Sequence, residues 1–209
     1  MDNILFLPPK ISGKHVDLDY EYTAASGPVA EKIYTLARKY LLQPALWHDL
    51  AGRGSAAFKP VSAGGERKRS LLTLNDYVSI DIPGPGSRLG EGLDWTQAKK
   101  IQDGVVPGAE ESFGLTLVAC ANPGKREADS AHFFKIGASS SFVLQRSGNV
   151  LRISYHGRNE IPNLDTESVI DNIRNAVVAT GAAAGLSELQ WTVLIRGLLD
   201  EAAEKETGE

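Results

Sequence analysis

From Val16 to Tyr22 the chain alternates strictly, with Val16, Leu18, Tyr20 and Tyr22 interleaved by Asp17, Asp19 and Glu21. Alternation of this kind puts the apolar side chains on one face of a strand and the carboxylates on the other. A few residues later the period changes. Ser26 stands where a side chain can cap a helix whose first turn accepts Pro28, and Val29, Ile33, Leu36, Ala37, Tyr40 and Leu41 recur at spacings of three and four. Pro44 interrupts that pattern, and Ala45 to Leu50 then fits a short second helix ending near Gly52. Strand and helices thus open the domain.

The middle of the sequence reads as β. Candidate strands are Ala56 to Val61, Leu72 to Ile82, Asp94 to Ile101, Phe113 to Cys120, His132 to Gly137, Ser141 to Arg146 and Val150 to His156, separated by Gly, Pro, Asn and Asp clusters. Ser147-Gly148-Asn149 lies between two alternating runs and predicts an antiparallel hairpin. Helical spacing then returns. Val169, Ile170, Ile173, Val177, Thr180 and Ala184 form one stripe of a helix starting at Asp165 or Thr166 and stopped by Gly185. Ser187-Glu188-Leu189-Gln190 has the form of a capping box for one more helix, with Leu189, Val193, Leu194 and Leu198 expected inward.

The expectation is an α+β fold with a curved, mainly antiparallel sheet of about six to seven strands packed on a long C-terminal helix, plus one extra terminal helix. Residues 1–14 read as an N-terminal tail, 15–203 as a single domain, and 204–209 as a frayed acidic tail. The order of elements from about residue 15 to 184 resembles the helix-grip START/Bet v 1-like superfamily, although the added helix from Ser187 to Ala203 departs from its simplest pattern. That resemblance implies a cavity between the sheet and the Asp165 helix, and proteins that bind apolar small molecules or lipids. A small barrel from Leu72 to His156 framed by helices is the competing architecture.

Composition narrows the function classes. The 209 residues include 22 basic and 26 acidic ones, a net charge of −4 that does not recruit nucleic acid. The basic run Glu66-Arg67-Lys68-Arg69 lacks interleaved aromatics and reads as a solvated loop. No apolar run reaches the roughly 18 residues of a membrane span, and the start does not fit a signal peptide. With a single cysteine, Cys120, the sequence points to a reducing, cytoplasmic setting and to a buried structural thiol.

No metal or cofactor is expected, because His15, His48, His132 and His156 are scattered and Cys120 has no Cys partner. His48-Asp49 reads as a surface pair. Ser139-Ser140-Ser141 lacks a nucleophile elbow, and the glycine-rich stretch from Pro83 to Gly92 is no phosphate loop. The polar cluster Tyr155, His156, Arg158, Asn159 and Glu160 at a strand end could converge on a ligand, with Arg158 pairing an anion and His156 or Glu160 handling a proton. Trp47, Trp95, Phe113, Phe133, Phe134 and Tyr155 could line an apolar pocket, although aromatics at strand positions usually serve the core.

Three functions stay open at this level. One is non-catalytic binding of an apolar or amphipathic small molecule, with Trp47, Trp95, Tyr155, His156, Arg158, Asn159 and Glu160 as lining. A second is a protein-interaction or scaffold module using an exposed loop or Leu189, Trp191 and Leu198; the small residues Ala176 to Ala184 would allow a homodimer seam. The third is an enzyme using His156, Arg158 and Glu160.

Overall fold

The structure is a computed structural model that describes residues 6–52, 55–64, 66, 71–81, 93–124, 134, 136–161 and 188–208. Its strands are β1 (Lys14–Thr23), β2 (Ala57–Val61), β3 (Tyr77–Asp81), β4 (Leu93–Asp103), β5 (Glu111–Ala119), β6 (Ser139–Ser147) and β7 (Val150–Glu160). Its helices are α1 (Gly27–Leu41), α2 (Trp47–Ala51), entered through a 3-10 turn at Pro44–Leu46, and α3 (188–207). All seven strands form one antiparallel sheet in the order β1-β7-β6-β5-β4-β3-β2.

The order follows from the connections. α1 and α2 carry the chain from β1 at one edge to β2 at the other, and five antiparallel steps bring it back until β7 pairs with β1. The tightest step is the β6–β7 turn, where Ser147 faces Val150 and Gly148 takes φ +62°, the left-handed first position of a II′-type hairpin. Asn149 ties this tip to the β1–α1 connection: its backbone carbonyl accepts from Ala24 N at 2.9 Å, and its Nδ2 donates to Ala24 O at 3.0 Å.

Alternation decides what each face carries. Leu151, Ile153 and Tyr155 of β7, Phe142 and Leu144 of β6, and Phe113, Leu115 and Leu117 of β5 are all buried toward the helices. Against them stand Ala30, Ile33, Tyr34, Ala37 and Leu41 of α1 and Leu194, Ile195, Leu198, Leu199 and Ala202 of α3. The opposite face holds a smaller cluster in which Phe6 and Leu7 pack on Val105, Val106 and Val143. Phe6 seats there because Gly114 has no side chain, since a Cβ at Gly114 would lie 2.6 Å from the Phe6 ring.

The sheet-packed helix is α3. The helix expected after Asp165 lies outside the described residues, as do half of the strand expected from His132 to Gly137, the Arg67 to Arg69 run and the Pro83 to Gly92 loop; of that strand, Ile136 and Gly137 are turn. Several local expectations shift. Ser26 occupies the cap position, but its side chain makes no capping bond; only its carbonyl accepts from Ala30 N. Residues 71–76 are a turn-rich connection rather than strand, because the buried Asp76 carboxylate gathers Thr73 N, Thr73 Oγ1 and Ala63 N. On α3 the buried stripe is Leu194, Ile195, Leu198, Leu199 and Ala202, while Leu189 is 57% exposed and Val193 36%. That helix runs on through Thr207, beyond the start of the expected fray at Glu204.

Candidate functional site

The polar cluster read from Tyr155 to Glu160 divides across the sheet. Tyr155 points to α3 with the other odd positions of β7, and His156 points away. A bulge then breaks the alternation. Lys14 pairs with Glu160 but Val16 with Gly157, and Asn159 absorbs the extra residue at φ +58°. Glu160 therefore returns to the α3 side, folded over Gly157, where no Cβ blocks it.

On that inner side the Tyr155 hydroxyl donates to Glu160 Oε1 at 3.4 Å and shares a hydrogen bond with Ser140 Oγ at 3.1 Å. The Tyr155 ring stacks on Trp191 of α3 with centroids 4.7 Å apart, and Trp191 also meets Phe142 at 5.7 Å and Phe58 at 5.9 Å. Trp47 continues the row, 5.1 Å from Phe142. Lys14 and Glu188 form an ion pair at the same end. Burial raises the Glu160 carboxyl above its ordinary range, and burial likewise raises the Tyr155 phenol.

On the outer side His156 Nδ1 lies 2.6 Å from Asp17 Oδ1, and Ser154 Oγ lies 2.9 Å from His156 Nε2. An ionised carboxylate only accepts, so Nδ1 carries the proton of a neutral ring and Nε2 accepts from the Ser154 hydroxyl. Arg158, 3% exposed, spans Asp17 Oδ1, the Val16 carbonyl and the Gly157 carbonyl, while Lys10 Nζ holds Asp17 Oδ2 at 2.9 Å. Asn159 pins the segment before β1: its Oδ1 accepts from Ile11 N and Ser12 N, and its Nδ2 donates to Pro9 O.

Burial disfavours the charged form of Asp17, but hydrogen bonds from His156, Arg158 and Lys10 outweigh it and hold the carboxyl well below the usual range. For His156, burial is the largest influence and lowers the ring below its ordinary value, against the pull of Asp17. Both folded values lie below the unfolded ones, so the unfolded chain binds more protons on acidification. Stability from His156 is complete above about pH 6.5 and that from Asp17 above about pH 3.9, and each fades as pH falls below its value. On going from pH 7 to pH 5 the urea midpoint of the wild type is therefore expected to change less favourably than that of His156→Gln, since Glu160, raised by burial, acts the other way equally in both. Equal slopes in the two proteins would contradict this.

The remaining expected residues fall elsewhere. Trp47 is fully buried on the α3 side, whereas Trp95 stands opposite Ser79 on the other face, so the two tryptophans share no pocket. Trp95 Nε1 is buried without a hydrogen-bond partner. His156 and Arg158 meet at Asp17, and Glu160 does not join them. Of the residues expected at a partner surface, Leu198 is buried in the core and Trp191 is partly buried against it. Cys120 is half-buried and burial pushes its thiol up to about 11, far from a nucleophile's range.

In the sequence Asp17 and Ser154 are ordinary members of alternating runs and carry no site signal. Their signal is the register, which sets Asp17 directly against His156. Among the described residues no group of three or more His, Cys, Asp or Glu could hold a metal, and no helix is long and apolar enough to cross a membrane. A separate groove of about 460 Å³ is lined by Tyr40, Leu46, Leu50 and Gly197 with Asp49, Asp200, Glu201 and Glu204.

No family model matches the sequence, and no curated protein matches it significantly. Solved structures do. Among the solved structures it is similar to, at low identity, are START and Bet v 1 folds. Human STARD10 is 12% identical with a TM-score of 0.42, the match covering 86% of this chain and 63% of that one. Norcoclaurine synthase from Thalictrum flavum, in complex with dopamine and hydroxybenzaldehyde, is 11% identical with a TM-score of 0.34, covering 90% of this chain and 96% of that one. Ara h 8.0201 is 10% identical with a TM-score of 0.35, covering 90% and 98%.

Proposed function

We propose that this chain binds an amphipathic small molecule on the α3 side of its sheet, without transforming it there. One observation carries the reading. At the end of an otherwise apolar, aromatic inner face stand two hydroxyls and a carboxyl, Ser140, Tyr155 and Glu160, and Glu160 has only a long 3.4 Å hydrogen bond from Tyr155. A position serving packing alone would carry an apolar side chain, because a largely buried carboxyl held by one long hydrogen bond is costly. In this reading the ligand's apolar body lies against the exposed part of Trp191, and its polar end meets Glu160.

Native mass spectrometry of the chain purified from its own host tests it. The expected result is a co-purifying small molecule. Glu160→Gln is expected to weaken its retention roughly 10- to 100-fold, the worth of one hydrogen bond to a charged group of about 1.5–3 kcal/mol. A ligand-free mass, or equal retention by the variant, overturns the reading.

A further inference from the structure

We propose that Ser154, His156 and Asp17 form a second site, on the outer face of the sheet, where Ser154 is the nucleophile of an ester hydrolase. The geometry is that of a relay. Ser154 Oγ is 2.9 Å from His156 Nε2, and His156 Nδ1 is 2.6 Å from Asp17 Oδ1, so nucleophile, base and orienting carboxylate are hydrogen-bonded in sequence through opposite ring nitrogens. β-structure alone delivers it. Ser154 and His156 are two apart on β7 and share a face, and the β1–β7 register sets Asp17 opposite His156.

The carboxylate is fixed more firmly than a surface pair needs. Asp17 Oδ1 takes His156 and Arg158, and Oδ2 takes Lys10, so the Nδ1–H tautomer that leaves Nε2 basic is the one favoured. Beyond Ser154 the face opens to solvent. Arg152 reaches Asp19, the residue directly across from Ser154, at 3.2 Å, and both of those side chains are about half exposed. Arg152 thus stands beside Ser154 on the side away from His156, where a cation can meet the oxyanion of an acyl substrate.

In the reaction, Ser154 Oγ adds to the ester carbonyl carbon while its proton passes to His156 Nε2. The acyl–oxygen bond then breaks and the alcohol leaves with that proton. A water molecule, giving a proton to Nε2, attacks the acyl-serine, and Oγ recovers the proton as the carboxylic acid departs. Asp17 acts through the ring and is a positioning residue.

The test uses the full chain, a fluorophosphonate probe and peptide mapping, with circular dichroism confirming each variant's fold. Labelling is expected on Ser154 in the wild type, none on that peptide in Ser154→Ala, and at least a tenfold slower rate in His156→Gln. Labelling should fail at low pH with a midpoint below about 6.5. In Asp17→Asn that midpoint should move lower still, since the carboxylate is what favours the imidazolium against the neighbouring Arg158 and Lys10 charges; a merely structural Asp17 would leave it in place. Ser154→Cys, which keeps a nucleophile there, should be alkylated by iodoacetamide at residue 154. An unlabelled but folded wild type, or labelling unchanged in Ser154→Ala, overturns the proposal.

Discussion

Trp47→Ala is expected to lower the unfolding free energy by about 3–5 kcal/mol, the range for removing a large buried aromatic from a packed core. Trp47 is 0% exposed, its ring lies 5.2 Å from Phe58 and 5.1 Å from Phe142, and its Nε1 donates to the Tyr40 carbonyl at 3.2 Å. The residue thus joins α1, β2 and the centre of the sheet through one side chain, and no neighbour can refill its volume without leaving its own contacts. Trp47→Phe separates the contributions. It keeps most of the packing and removes one of two donors to Tyr40 O, which keeps Gln43 N, at a cost of about 0.5–1.5 kcal/mol. Because Trp47 and Phe142 touch, Trp47→Ala/Phe142→Ala should cost less than the two single changes together by about 0.5–3 kcal/mol. Urea denaturation with an unchanged slope measures all of these. A cost below about 1 kcal/mol for Trp47→Ala would mean that the aromatic row does not organise the core.

What the sequence could and could not announce follows from how each feature is encoded. Strict alternation from Val16 to Tyr22 and around Ser147–Asn149 encodes strands and a hairpin directly, and both are present. The expected strand from Leu72 to Ile82 starts instead at Tyr77, because the turn at Thr73–Asp76 is held by a side-chain carboxylate, and apolar spacing does not register such a bond. The candidate site suffered most from one bulge. Between Gly157 and Glu160 the parity changes, so a polar run that looks like one cluster becomes two, with Glu160 on one face and His156 and Arg158 on the other. Pairing partners 139 residues apart, such as Asp17 and His156, are invisible until the register of the edge strand is known.

The groove side of α3 offers the second large effect, and there two opposing terms can be weighed. Gly197 sits within a helix, where exchange for alanine ordinarily gains about 0.8–1 kcal/mol in propensity. At this position, however, a Cβ would collide with the Leu50 carbonyl oxygen and crowd the Leu50 carbonyl carbon at 3.1 Å. These are backbone atoms at the end of α2, so no rotamer change relieves the contact; α3 must move away from α2 as a body. Such overpacking costs about 1–3 kcal/mol and sometimes more, and here the movement would also disturb Leu198 and Leu194, both 0% exposed in the core. With the contact on backbone atoms the clash outweighs the propensity, so Gly197→Ala is expected to destabilise by up to about 2 kcal/mol net. Gly197→Val, bulkier and a poorer helix former, should destabilise more. Thermal melts of the two variants beside Arg196→Ala, on the exposed neighbouring position, provide the comparison. A Gly197→Ala protein that melts at or above the wild-type temperature would show that α2 and α3 do not make the close approach on which the groove depends.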